Sequence, residues 1–256
     1  RNGGGFSSAN STAWDLKAEN RGIWVEGSGF FGSQGSYKIS MPIGGGPLPS
    51  GKYLTFQPHV YQVITVNAPV SVYPLKVTSG RVLFTENATI EGETPIQITG
   101  SGYLGVNRDR SFKVDFQGAG FYYSSSANAT SMPVITLEEG SLWAASKNTC
   151  KIRLSAAGVP MLNIDGWVPV LKVPTSVRDL SDVAFSVETG DASGTAITGV
   201  QIKVETDEDG LQTVSVMPPT YYVVHPSTPG HKAVPPYTSW ETAATNIAEA
   251  VLGVSE

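Results

Sequence analysis

The sequence is poor in cysteine and in groups that do chemistry. Its 256 residues include one cysteine, Cys150, so no disulfide can form within the chain. The three histidines stand in proline-rich or turn-like surroundings, where no base is indicated for a thiol nucleophile. We therefore interpret Cys150 as a small buried apolar residue. No nucleophile elbow, metal-spaced histidine pair or phosphate loop occurs, so the sequence predicts no cofactor.

Charge is also scarce. Only 15% of the residues are charged, the net charge is −5, and like charges do not cluster in runs. A surface of this kind does not neutralise phosphates, which argues against nucleic acid as a partner. Long apolar runs are missing too, since no stretch approaches the roughly 18 residues of a membrane span.

Glycine and proline are abundant, with 28 and 17 residues, and 40% of the chain is apolar. This mixture predicts an all-β protein of many short strands separated by turns, with enough apolar residues for a core. The low charge and the many Ser, Thr and Asn residues predict a secreted or cell-surface protein. The glycosylation triplets at Asn10, Asn87 and Asn128 agree with that location. We also expect that both ends of the sequence were cut from a longer chain.

A short motif recurs in the first two thirds of the chain: a proline, an alternating strand, then a glycine. It occupies Pro74–Gly80, Pro95–Gly100, Pro133–Gly140 and Pro160–Gly166. A second repeated pattern is the glycine-rich segment Gly27–Gly32, which is similar to Gly100–Gly105, 73 residues later. Strand-and-turn units repeated at this scale predict a β-solenoid over residues 1–172, in which neighbouring units complete one core. The alternative is a β-sandwich whose strands share turn chemistry.

Two smaller regions are predicted after residue 172. Residues 173–220 carry alternating strands with turns at 189–194 and Asp207–Gly210, which indicates a small antiparallel β module. Residues 221–256 contain a strand, a proline-rich loop and a helix that begins near Thr238, where Glu241 stands at capping-box spacing. In this helix Trp240, Ile247 and Val251 would share one apolar face.

The segment with Tyr221, Tyr222 and the helix reads YYVV…PPYTSWETAATNIAEAV. It resembles the lead-in of right-handed parallel β-helix proteins of the pectate-lyase-like type, which include bacterial surface proteins with repeated β-helix domains. In that family the helix caps the first coil. The resemblance implies that residues 221–256 begin a further repeat, and that Trp240, Ile247, Val251, Tyr221 and Tyr222 contact a neighbouring surface.

Enzymes on β-helix scaffolds need clustered carboxylates with a basic partner. The strongest candidates are Asp109, Arg110 and Asp115, although a solvated hairpin turn with internal ion pairs is the favoured explanation for them. Asp207 and Asp209 are the corresponding metal candidates, but the rest of a calcium loop is missing and a hairpin turn accounts for both.

Aromatic residues beside glycine turns are a further feature: Phe30, Phe31, Tyr103, Phe121, Tyr122 and Tyr123. They are either core residues or a surface for sugar rings or a neighbouring subunit. The sequence therefore favours an extracellular structural or adhesive protein, one segment of a filament, fibre or array, whose partners are copies of itself or adjacent repeats. The alternatives are a polysaccharide-degrading or polysaccharide-binding β-helix protein and a viral fibre or capsid component.

Overall fold

The computed structural model describes residues 4–8, 14–16, 22–124, 131–155, 166–189, 195–197 and 199–217, with Ala233, Ala243 and Ala244. These residues form strands and turns, and no helix occurs among them, which confirms the all-β prediction. The strands are, in chain order, β1 (Gly4–Ser8), β2 (Trp14–Leu16), β3 (Ile23–Trp24), β4 (Gly29–Ser33), β5 (Tyr37–Ile39), β6 (Ile43–Pro47), β7 (Leu54–Pro58), β8 (Val63–Val66), β9 (Val70–Tyr73), β10 (Leu75–Phe84), β11 (Ile96–Val106), β12 (Arg110–Phe112), β13 (Val114–Phe116), β14 (Gly120–Tyr123), β15 (Ile135–Leu137), β16 (Leu142–Trp143), β17 (Thr149–Leu154), β18 (Val168–Pro174), β19 (Ala184–Thr189), β20 (Gln201–Thr206) and β21 (Leu211–Met217).

Parallel pairing between successive passes of the chain dominates the structure. We call the first series stack 1; it contains β1, β4, β7, the start of β10, the start of β11, β13 and β16. Stack 2 contains β2, β5, β8, the end of β10, the end of β11, β14, β17 and β19. Strands in a third position form two further series, β3–β6–β9 and β12–β15–β18. Parallel pairing of this extent is not the antiparallel pairing that builds a β-sandwich.

Alternation along the strands explains why these segments pair as they do. In β7 the side chains of Leu54 and Phe56 are buried while Thr55 and Gln57 are not. β10 and β13 begin with the same alternation, so one side of each strand faces the core. Because strands of successive passes lie in register, their apolar side chains fall above one another.

The core lies between the stacks and is rich in aromatic contacts. Phe56 of stack 1 packs against Phe31 with ring centroids 5.6 Å apart and against Phe84 of stack 2 at 6.3 Å. Phe84 in turn contacts Phe112 of β12 at 6.0 Å. Further along, Phe116 lies 4.2 Å from Trp143, centroid to centroid. These contacts link all three strand positions into one core.

The repeats predicted from sequence are partly correct. Pro74 and Pro95 introduce equivalent strands, since Lys76 pairs with Gln97 in register. The strand after Pro133, however, is β15, which pairs with β12 and β18 in the third position. Most of the motif that starts at Pro160 lies outside the described residues.

The predicted equivalence of Gly27–Gly32 and Gly100–Gly105 is wrong. Phe31 belongs to β4 in stack 1, whereas Leu104 belongs to the end of β11 in stack 2. The two segments share a local glycine-rich pattern, but their positions within a pass differ. Local sequence sets the turn, and the length of chain between turns sets which stack a strand joins.

The region after residue 172 combines both kinds of pairing. β18 crosses the predicted boundary and pairs in parallel with β15 and antiparallel with β21. β19 joins stack 2 in parallel, while β20 and β21 form the predicted antiparallel hairpin. The Asp207–Gly210 turn is confirmed, with Gly210 at φ 78° and its N–H donating to the Asp207 carbonyl. The division of the chain into domains stays a prediction.

The C-terminal helix is not shown. Of the residues predicted to form it, Ala243 and Ala244 are described; both are fully buried, Ala243 is in no regular element and Ala244 makes a β-bridge. Tyr221, Tyr222, Trp240, Ile247 and Val251 lie outside the described residues, so their predicted role as contacts stays a prediction.

Candidate functional site

The three residues of the predicted catalytic group are held by different parts of the fold. Asp109 lies in the turn between β11 and β12, where its Oδ1 accepts a hydrogen bond of 2.8 Å from the Val134 N–H. Asp115 lies in β13 of stack 1, and its Oδ1 accepts a 3.1 Å hydrogen bond from Gln117 Nε2. Asp109 thus ties its turn to the residue before β15 in the neighbouring pass, and Asp115 bonds a residue two positions along its own chain.

Arg110, the basic member of that group, points to a third location. Its guanidinium donates to the carbonyl of Glu86 at 3.3 Å. Partial burial lowers the pKa of Arg110, and the nearby Glu86 carboxylate opposes that shift. Asp109, Arg110 and Asp115 therefore act as separate ties between turns and strands, and a catalytic role for them remains a prediction.

The acidic hairpin turn is built from its own side chains. Asp207 Oδ1 accepts hydrogen bonds from the N–H groups of Asp209 at 3.1 Å and Leu211 at 2.8 Å. An Asp carboxylate that bonds its own backbone two residues on is a common turn device. In the part of the chain described by the structure, no group of three or more His, Cys, Asp or Glu side chains has the placement of a metal site.

Cys150 is buried, as predicted. It lies in β17 opposite Phe185 and is 1% exposed. Burial raises the pKa of its thiol far above the usual range, because the thiolate would lose its hydration. This environment belongs to an inert structural cysteine.

The six aromatic residues singled out in the sequence divide into three groups. Phe31, Phe121 and Tyr123 point into the core, where Tyr123 Oη donates to the Val170 carbonyl at 2.8 Å. Phe30 is 46% exposed on the outer side of stack 1. Tyr103 and Tyr122 lie on the outer side of stack 2, yet both are buried.

An open groove lies beside Phe30. Its volume is about 340 Å³, and it follows the connection from stack 1 to stack 2 in three consecutive passes. We call it the Phe30 groove; its lining residues are Phe30, Gly32, Ser33, Gln34, Gln57, Pro58, His59, Val60 and Ser79. The lining combines one exposed aromatic ring with amide, hydroxyl and imidazole groups.

A second unusual surface is the outer side of stack 2. Arg81, Tyr103, Tyr122, Arg153 and Glu188 alternate with core residues along their strands and therefore face away from the core. All five are nevertheless buried. We call them the tyrosine–arginine cluster.

Arg153 and Glu188 of the tyrosine–arginine cluster form a buried ion pair. The Arg153 guanidinium carbon lies 4.7 Å from the Tyr103 ring centroid, and Arg153 donates to Glu188 Oε2 at 3.1 Å. Lys151 Nζ lies 2.5 Å from the other Glu188 oxygen. Burial raises the pKa of Tyr103, and Arg153 opposes the shift. Sequence reasoning missed Arg81, Arg153 and Glu188, because outward register in a strand predicts exposure.

Comparison with known proteins adds no family to this description. No family model, no curated protein and no solved structure matches the chain. The described residues contain no helical segment with the length and apolar character of a transmembrane span.

Proposed function

We propose that the chain is a β-solenoid and that it serves as an extracellular structural or adhesive segment of a filament, fibre or array. The observation that carries this proposal is the in-register parallel pairing of stacks 1 and 2 over successive passes, with one core between them. Each inner strand of a stack bonds the strand of the previous pass with about half of its backbone groups and the strand of the next pass with the rest. Further passes can therefore extend the arrangement by repetition.

A stack of this kind is suited to spanning distance. Parallel strands lie about 4.8 Å apart, so each additional pass lengthens the stack by about that amount. Aromatic contacts such as Phe31–Phe56 run along the stack and resist bending between passes. A rigid spacer is the physical requirement for a surface fibre or for a module that displays a binding site away from the cell.

The ends of the stacks are where a neighbour would attach. Within the described residues, β1, β2 and β3 each pair with a strand on one side only, and β16 does so at the other end, whereas β19 also bonds residues 195–197. Unpaired strand edges are templates for further strands. We propose that copies of the chain, or adjacent repeats of a longer chain, continue the stacks at these edges.

An extracellular location fits the surface of the described residues. Asn87, in one of the glycosylation triplets, is exposed in a turn after β10, with its Nδ2 donating to Asn67 Oδ1 at 3.2 Å. Asn10 and Asn128 lie outside the described residues. The buried, unpaired state of Cys150 agrees with a fold that depends on packing and not on disulfides.

Light scattering of the purified chain over a range of concentrations tests the assembly. We expect the mass to rise well above the 27.0 kDa of one chain as concentration increases. The variant Ser7→Pro removes a backbone donor from the β1 edge and is expected to shift the population toward the single chain. Ser7→Ala keeps the donor and is the matched control. A wild-type chain that remains a 27.0 kDa particle at every concentration would refute self-assembly.

A further inference from the structure

The Phe30 groove is produced by a change in the length of one turn. Between the register pairs Phe56–Val77 and Val63–Arg81, the third pass has residues 57–62 and the fourth has only 78–80. The longer turn must project beyond the shorter one, and the step between them forms one wall. Phe30 and Gln34, from the second pass, stand on the other side.

Hydrogen bonds hold the walls of the groove in place. The His59 N–H donates to the Ser33 carbonyl at 2.8 Å, and Ser79 Oγ donates to the Pro58 carbonyl at 2.6 Å. Ser36 Oγ donates to Gln62 Oε1 at 2.8 Å behind the longer turn. The three passes are thus tied together around the groove, as expected of a preformed ligand site.

The chemistry of the lining selects a class of ligand. None of its nine residues is Asp, Glu, Lys or Arg, so the groove offers no ion pair to a charged molecule. The Gln34 and Gln57 amides and the His59 ring supply donors and acceptors at exposed positions. The Oγ of Ser33 is buried and has no hydrogen-bond partner, which leaves one more polar group at the groove unsatisfied.

The apolar part of the lining is a flat aromatic surface. The Phe30 ring is 46% exposed and lies along Gly32, where a Cβ would come within 3.4 Å of it. Glycine at this position therefore keeps one edge of the ring platform clear. A flat ring beside amide groups matches a molecule with an apolar face and a rim of hydroxyls, which describes a sugar ring.

We propose that the Phe30 groove binds a neutral carbohydrate, with Phe30 as the stacking platform and Gln34, Gln57 and His59 as hydrogen-bonding groups. The volume of about 340 Å³ lies within the range of small-molecule sites. The groove is open to solvent, so one sugar unit of a longer polysaccharide can enter it. This inference rests on the groove alone and does not depend on the proposed assembly.

Affinity electrophoresis in gels that contain dextran, mannan, xylan or mixed-linkage β-glucan, followed by calorimetry with oligosaccharides of the retarding polymer, tests the proposal. We expect at least one neutral polymer to retard the protein. Phe30→Ala and Gln57→Ala should each weaken binding about tenfold or more, the equivalent of one lost stacking or hydrogen-bonding contact. Both side chains are exposed, so these variants should fold, which far-ultraviolet circular dichroism will verify.

Leu142→Ala is the matched control, because Leu142 is also an exposed apolar residue of stack 1 but lies five passes away from Phe30. It should bind like the wild type. Failure of every neutral polymer to bind at about 1 mM sugar, or equal binding by Phe30→Ala and the wild type, would overturn the proposal. Preferential, salt-sensitive retardation by polygalacturonate would also overturn it, since that result requires a charged site elsewhere.

Discussion

Removing the Glu188 carboxylate tests whether the outer side of stack 2 is as deeply covered as the structure has it. Glu188 joins Lys151 and Arg153, and the Glu188 and Arg153 side chains are 8% and 10% exposed. In Glu188→Gln the Arg153 charge would remain buried beside the Tyr103 ring without its carboxylate. Breaking a buried pair in this way costs about 3–5 kcal/mol.

The same substitution in an exposed pair provides the control. Glu205 pairs with Lys203 on β20 at 2.8 Å, but its side chain is 64% exposed. An exposed pair contributes about 0–1 kcal/mol, so Glu205→Gln should leave stability almost unchanged. The difference between the two variants, about 2–5 kcal/mol, reports burial because the chemical change is identical.

Urea unfolding followed by circular dichroism measures this difference as a shift of the midpoint. A cost of Glu188→Gln no larger than that of Glu205→Gln would refute the reasoning and would mean that solvent reaches the tyrosine–arginine cluster.

A second comparison separates the contribution of the ion pair from that of side-chain packing. Replacing both partners, as Arg153→Met with Glu188→Leu, should recover much of the loss, since no unpaired charge then stays buried.

Two further predictions concern the backbone and the buried thiol. Gly80 and Gly51 both have positive φ, 58° and 73°, so alanine at either should cost about 1–2 kcal/mol from backbone strain. Urea unfolding should show a larger loss of stability for Gly80→Ala than for Gly51→Ala. The new Cβ at residue 80 would lie 2.5 Å from the His59 carbonyl oxygen, whereas a Cβ at residue 51 would meet no atom within 4 Å. Equal losses would contradict the close approach at Gly80. Cys150 should react with Ellman's reagent at neutral pH only after unfolding, and rapid labelling of the native chain would show that it is accessible. Since burial raises the pKa of Cys150, its contribution to stability should be constant below the unfolded thiol pKa of about 8.5 and should fall as pH rises above it.

Some of the fold could be read from short stretches of sequence. The alternation of apolar and polar residues in Leu75–Val77 and Ile96–Ile98 predicts strands with one buried side, and the structure shows both. The Asp207–Gly210 turn was predictable because its two signals, an Asp that bonds the following backbone and a glycine with positive φ, lie within four residues.

Other parts could not be read in this way. The pattern shared by Gly27–Gly32 and Gly100–Gly105 predicts similar turns, but the two strands joined different stacks. Which stack a strand joins depends on how many residues separate it from the previous turn and on which neighbour is free to pair. Neither quantity is contained in a six-residue motif.

The two surfaces of greatest functional interest come from this non-local level. The Phe30 groove needs three turns from three passes, and its wall exists because residues 57–62 lie next to the shorter 78–80. The tyrosine–arginine cluster combines Arg81, Tyr103, Tyr122, Arg153 and Glu188 from five strands. The aromatic residues were noticed in the sequence, but their division into core, platform and buried outer side was not predictable.

The sequence by itself determined the class of protein: an all-β chain without disulfides, with an inert buried cysteine and strands whose faces follow from alternation. These properties are local, since each depends on residue type and on a period of two. Only the tertiary structure decided which strands pair, which outward residues are buried and where a groove forms. Those properties depend on register between distant passes, where a difference of three residues in one turn moves a side chain from a flat surface to the wall of a site.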